Sequence, residues 1–175
     1  VMSHAGKIYL IGFMGSGKST TGRRLASRLK WTFIDLDEQI EKSAGMKIRD
    51  IFLEKGEDHF RELEHKILKE TENTANTVIS TGGGTPCFLN NMDFMLRTGL
   101  TIYLRLSPEN LKSRLEKGSD KRPLLKGIDR KELTDYIRTK LSEREKWYMK
   151  AELVTDGFDV DLTALCARIR DLLER

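Results

Sequence analysis

Cysteine and histidine are scarce here, and long apolar runs are missing. Among 175 residues there are 2 cysteines and 3 histidines. Cys87 and Cys166 cannot make a disulfide framework, and no CxxC pair offers a zinc half-site. A reduced, cytoplasmic setting is the expectation that follows. His4, His59 and His65 lack the mutual spacing of metal ligands and read as solvated or helix-surface side chains. No apolar stretch approaches the ~18 residues of a membrane span. Ile8–Met14 is broken by Gly12 and runs into Gly-Lys-Ser, without a basic leader or a cleavage site, so no secretory signal is expected. Internal repeats, low-complexity tracts and interdomain linkers are absent too. Lys and Arg total 31 against 27 Asp and Glu, a formal net charge of +4. That mild excess meets no dense basic tract with interleaved aromatics, so neither nucleic acid nor membrane is an expected partner. With 38% hydrophobic and 33% charged residues, the composition is that of a globule rather than a disordered tail.

What is present is an alternation of strand and helix patterns. Short apolar runs at Lys7–Ile11, Thr32–Leu36, Thr77–Ser80, Leu100–Leu106 and Glu152–Thr155 read as strands. Helical spacing fills Lys18–Leu29, Glu38–Ala44, Ile48–Lys55, Glu57–Thr71, Asn90–Arg97, Pro108–Lys117, Asp129–Tyr148 and Asp161–Leu173. Ser107 stands at an N-cap position ahead of Pro108. Gly118–Gly127 is charged, glycine-bounded and contains Pro123, and reads as a loop. The expected fold is α/β: a three-layer α/β/α arrangement on a central five-stranded parallel sheet, one domain over 1–175.

Gly12-Phe13-Met14-Gly15-Ser16-Gly17-Lys18-Ser19 satisfies G-x-x-x-x-G-K-[ST] between a strand and a helix. Glycines let backbone N–H groups crowd phosphate oxygens, and the helix N-terminus adds positive potential. Lys18 supplies a point charge for the β- and γ-phosphates, and Ser19 a hydroxyl for Mg²⁺. The chain is therefore expected to bind a Mg-nucleotide.

Other stretches carry two readings each. Asp35 and Asp37 close the second strand, and period two sets them on one side of it. One acid can support a metal and the other orient a hydroxyl, or Asp37 can simply N-cap the next helix. Arg61 and Glu64 share a helix face and form either a functional pair or a surface ion pair worth ~0.3–0.5 kcal/mol. Gly82, Gly83 and Gly84 make either a loop that approaches a polar ligand or a flexible turn. Arg122 is a lid arginine that reaches transferring phosphate or a solvated loop charge. Arg144 grips a carboxylate or lies on a helix surface.

In combination these pieces resemble the shikimate kinase family over about Lys7–Leu173. The resemblance rests on GFMGSGKST at the phosphate loop, DLD at 35–37, GEDHFRELE at 56–64, STGGG at 80–84, KRPLL at 121–125 and RxxxY at 144–148. It implies ATP- and Mg²⁺-dependent phosphorylation of the 3-hydroxyl of shikimate, a step toward chorismate and the aromatic amino acids. It implies substrate-binding helices about 38–72 and a mobile lid about 118–127. ATP contacts carry over to Gly15, Ser16, Gly17, Lys18, Ser19, Thr20 and Arg122, with Arg114 near adenine. Ser19 and Asp35 carry over as metal groups. Shikimate contacts carry over to Asp37 (the candidate base), Phe52, Phe60, Arg61, Gly82, Gly83, Gly84 and Arg144, with Glu64 positioning Arg61. Lys18, Asp37 and Arg122 are the expected catalytic residues. The stretch Thr155–Phe158 occupies the adenine loop without the arginine expected there. Cys87 reads as packing, and a monomer is expected. Two competing readings remain open at this stage: another small-molecule P-loop kinase, of gluconate or nucleoside monophosphate type, and a nucleotide-dependent switch, although no N-K-x-D guanine motif is present.

Overall fold

A computed structural model of the chain describes residues 6–117 and 129–174. The expected lid with Arg122, and His4, lie outside the described residues. Five strands, β1 (Lys7–Ile11), β2 (Thr32–Asp35), β3 (Thr77–Ser80), β4 (Leu100–Arg105) and β5 (Leu153–Asp156), form one sheet in the order β2-β3-β1-β4-β5. Every pairing is parallel, with Ile8 opposite both Val78 and Leu100. The helices are α1 (Lys18–Leu29), α2 (Leu36–Ala44), α3 (Ile48–Glu70), α4 (Asn91–Thr98), α5 (Pro108–Lys117), α6 (Arg130–Tyr148) and α7 (Leu162–Leu173).

The alternation of side chains along β1 explains the three layers. Ile8 and Leu10 face Leu25, Ala26, Leu165 and Ile169, so α1 and α7 cover that side. Tyr9 and Ile11 face the opposite core, built from Leu36, Ile40, Phe60, Leu111, Ile137, Leu141 and Tyr148. Both faces of the sheet are thus buried, which is why its strands read as continuous apolar runs. The chain builds β2 and β3 on one side of β1 and β4 and β5 on the other. The crevice of an open α/β sheet opens at such a reversal, at the carboxyl end of β1.

One boundary differs from expectation for a local reason. β2 stops at Asp35, because its side chain caps α2 and Leu36 already turns into that helix. α3 (Ile48–Glu70) consists of two helical arms that meet at Gly56, whose φ of 84° and ψ of 170° are non-helical. The two helical patterns read on either side of Gly56 are therefore both present, joined through a kink. Ser107 caps α5 as expected, its Oγ accepting from Asn110 N at 3.2 Å. Cys87 and Cys166 are both free thiols. Among the described residues, no helix is long and apolar enough to cross a membrane.

Candidate active site

The loop after β1 is shaped by residues with no side-chain alternative. Gly17 enters α1 with φ 89°, a left-handed conformation that glycine adopts freely, and a Cβ there would stand 2.9 Å from Arg114 Nη1. Ser16 N donates to Phe13 O at 3.1 Å, which closes the loop. Lys18, opening α1, is buried, and its Nζ donates to Gly12 O and Phe13 O at 2.8 and 3.0 Å. Those two carbonyls hold the ammonium over the loop. Ser19 Oγ donates to Asp35 Oδ2 at 2.5 Å and lies 3.2 Å from Ser80 Oγ.

Asp35, not Asp37, is the cap of α2: its Oδ1 accepts from Asp37 N at 3.0 Å and Glu38 N at 3.3 Å. The capping alternative for Asp37 is thereby corrected, as is the period-two argument, since Asp37 sits in the first helical turn. Both acids nevertheless reach one cleft. Asp37 is partly buried, and a Cβ on Gly82 would come within 3.2 Å of its Oδ1. Burial, then the neighbouring Asp35 carboxylate, raises the Asp37 pKa to about 6, against the opposing pull of Lys18.

Arg61 and Glu64 do not form the surface pair that spacing alone allows. Glu64 is only 1% exposed, and its Oε1 accepts from Arg61 Nη1 at 2.9 Å. Glu57 takes two further bonds from the same guanidinium at 3.2 Å. The Phe60 and Phe88 rings flank Arg61 with centroids 5.1 and 4.0 Å away, and Phe52 packs on Phe60 at 4.5 Å. Gly84 leaves the room that Arg61 occupies, for a Cβ there would meet Nη2 at 2.6 Å. Gly83 lies between the loop and α6: its Cβ would stand 3.1 Å from Met14 N and 3.3 Å from Arg144 Nη1.

One cleft of about 430 Å³ is lined by Gly15, Lys18, Ser19, Thr20, Asp35, Asp37, Gly82, Gly83 and Arg114, among others. The family model for shikimate kinase matches residues 14–172. This chain belongs to the shikimate kinase family. A shikimate kinase of Bacteroides thetaiotaomicron is 40% identical over 172 residues, covering 96% of this chain and 98% of that protein. The crystal structure of shikimate kinase from that organism superimposes with a TM-score of 0.89 over 97% of this chain and 98% of the other. Shikimate kinase from Acinetobacter baumannii, solved in complex with shikimate, is 31% identical with a TM-score of 0.84, over 99% and 95%.

Of the expected family positions, Ser16, Phe52, Phe60, Arg61, Gly84 and Arg144 are not among the lining residues of the cleft, whereas Gly15, Gly17, Lys18, Ser19, Thr20, Asp35, Asp37, Gly82, Gly83 and Arg114 line it. Arg114 does so in an unexpected way, donating to Ser16 O at 3.1 Å and to Gly157 O and Phe158 O at 3.0 and 2.9 Å. It ties the phosphate loop to the turn after β5, where the adenine loop was expected. A larger cleft of about 740 Å³ at the β4–β5 side is lined by Thr155 and Asp156 of the expected adenine loop and by no residue of the phosphate loop, the Asp pair or the glycine loop. Its arginines are engaged, Arg105 with Glu145 and Arg138 with Glu109.

Several supporting residues escaped the sequence reading. Thr85 Oγ1 donates to Glu64 Oε2 at 2.7 Å, and Asn91 Nδ2 to Thr85 O at 2.9 Å. His65 Nδ1 pairs with Asn91 Oδ1 at 2.6 Å. Phe88 covers Arg61 from a different segment. None of these carries a local signal, because each acts on a partner fixed only by packing. Cys87 behaves as packing: burial pushes its thiol up to about 11, although Arg144 and Arg61 favour the thiolate.

Proposed function

We infer that this protein transfers the γ-phosphoryl group of ATP to the 3-hydroxyl of shikimate, giving shikimate 3-phosphate and ADP. The observation that carries this reading is that the phosphate loop, Asp37 and the glycine loop line a single cleft. Gly15, Ser16, Gly17 and Thr20 would surround the ATP phosphates, with Lys18 as their charge partner and Arg114 at the base end. Arg61 and Arg144 supply two guanidinium groups for the acceptor's carboxylate, with Phe52 and Phe60 as apolar wall. Gly82 and Gly83 allow the ring to approach the backbone closely.

Asp37 accepts a hydrogen bond from the acceptor hydroxyl and aligns its oxygen with phosphorus. As the new O–P bond forms, the β–γ bridging O–P bond breaks and ADP leaves. Asp37 receives the hydroxyl proton and releases it to solvent. Rate comes chiefly from positioning and charge neutralisation. The paired oxygens of Ser19 and Asp35 are hard donors of the kind Mg²⁺ prefers, and these two residues would hold the ion. When bound, Mg²⁺ neutralises charge on the β- and γ-phosphates. By the resemblance, Arg122 completes the donor side. A monomer is proposed as the working unit, and two free thiols accord with a reducing cytoplasm.

A coupled ADP-release assay with ATP, Mg²⁺ and shikimate tests the reading, and release at background would overturn it. Arg144→Ala should raise the shikimate KM on the order of 10–100-fold and leave the ATP KM within about twofold, because only the carboxylate loses a bidentate partner. An unchanged shikimate KM would remove Arg144 from the acceptor site.

A further inference from the structure

Tyr148 ends α6 one turn beyond Arg144. Its ring is fully buried and packs on Tyr103 with centroids 5.0 Å apart. Its hydroxyl donates to Gly83 O at 2.5 Å, across 65 residues of sequence. Gly83 is the place where the two halves of the cleft meet, since it lies between Met14 N of the phosphate loop and the Arg144 guanidinium. Having no side chain, Gly83 is held through its backbone, between Gly82 and Gly84, whose carbonyls accept from Thr85 N and Cys87 N.

We propose that Tyr148 is a positioning residue of the acceptor site, fixing the Gly83 carbonyl and with it the spacing between the phosphate loop and Arg144. In a trans peptide C=O and N–H point in opposite directions, so pinning Gly83 O toward α6 turns the Gly84 N–H away from Tyr148. One hydroxyl thereby sets the orientation of the peptide that joins Gly83 to Gly84. The same helix carries Arg144, so the carboxylate grip and the backbone beside it are held from one rigid element. Burial raises the hydroxyl's pKa well above the ordinary tyrosine value, so it remains a donor across the working pH range.

This inference rests on the acceptor reading given above, and the test separates the two. Wild-type enzyme without shikimate-dependent ADP release would defeat that reading. With activity present, Tyr148→Phe keeps the ring and removes the hydroxyl, which donates to Gly83 O and also meets the Arg144 side chain. The shikimate KM should rise about tenfold, with kcat within about threefold and the ATP KM within about twofold. Tyr103→Phe, which removes the hydroxyl of the packed ring that makes no contact with Gly83, should leave both KM values unchanged. Replacing Tyr148 with 4-aminophenylalanine, which keeps a donor at the ring's tip, should restore the shikimate KM to within about threefold of wild type. It also serves as the readout if the phenylalanine variant does not fold. An unchanged shikimate KM in Tyr148→Phe, an equal rise in both KM values, or a 4-aminophenylalanine enzyme with the tenfold defect would overturn the proposal.

Discussion

Asp37 is placed where burial and the Asp35 and Glu64 carboxylates oppose its ionisation, while Lys18 favours it. The balance lifts its pKa from 3.8 to about 6, so the folded state binds its proton more tightly than the unfolded chain does. Stability from this group is therefore fully present below about pH 4 and is lost as pH rises through about 6. A shift of this size corresponds to at most about 3 kcal/mol, and partial exposure reduces the expected effect to ~1–2 kcal/mol. Asp37→Asn should raise the Tm of the substrate-free enzyme by about 2–8 °C at pH 7.5 and by almost nothing near pH 4. Turnover should fall about 10²–10⁴-fold in the same variant. Melting curves at the two pH values check the sign, and an equal offset at both would contradict it. DLD at 35–37 was legible as a pair of acids. Which of the two caps α2 was not, because β2 gives way to α2 between them.

At the scale of elements, α3 is the informative case. Its arms carry Phe52 on one side of Gly56 and Phe60, Arg61 and Glu64 on the other. The kink brings the two rings within 4.5 Å. Gly56 has φ 84° and ψ 170°, a region open almost solely to glycine, and no atom lies within 4 Å of where its Cβ would be. The cost of a side chain there is conformational and amounts to ~1–3 kcal/mol. Gly56→Ala should lower Tm by about 3–10 °C and raise the shikimate KM several-fold, with the ATP KM unchanged. Thermal melts together with steady-state kinetics decide this, and an unaltered Tm would show that the kink is not held by the glycine. The sequence pattern located the break, since Gly interrupts two helical spacings. It could not show that the two arms bring Phe52 and Phe60 into contact, which depends on how they pack.

For the molecule as a whole, the sheet order puts the phosphate loop, Asp35 and Asp37, and the glycine loop at the carboxyl ends of β1, β2 and β3. Each substrate that binds only the folded state should stabilise it, by about 2.7 kcal/mol at 100 times its Kd, or roughly 5–10 °C in Tm. Lys18→Met should lose turnover by more than about 10³-fold and lose most of the ATP-dependent Tm shift, while the shikimate-dependent shift persists. Scanning fluorimetry with each ligand separately reads this out. Loss of both shifts would mean that donor and acceptor are not held by distinct walls of the cleft.

Contiguous sequence determined the elements and the phosphate loop, because strand alternation, helical spacing and glycine's backbone freedom act within a few residues of one another. The combination of short motifs also pointed to the family. Packing across the sheet decided the rest. It buried Glu64 against Arg61 and Thr85, laid Phe88 over that guanidinium, tied Arg114 to Gly157 and brought Tyr148 to Gly83. Apart from the Arg61–Glu64 pair, such contacts join residues far apart in the chain, and their energies depend on distances that exist only once the helices have closed on the sheet.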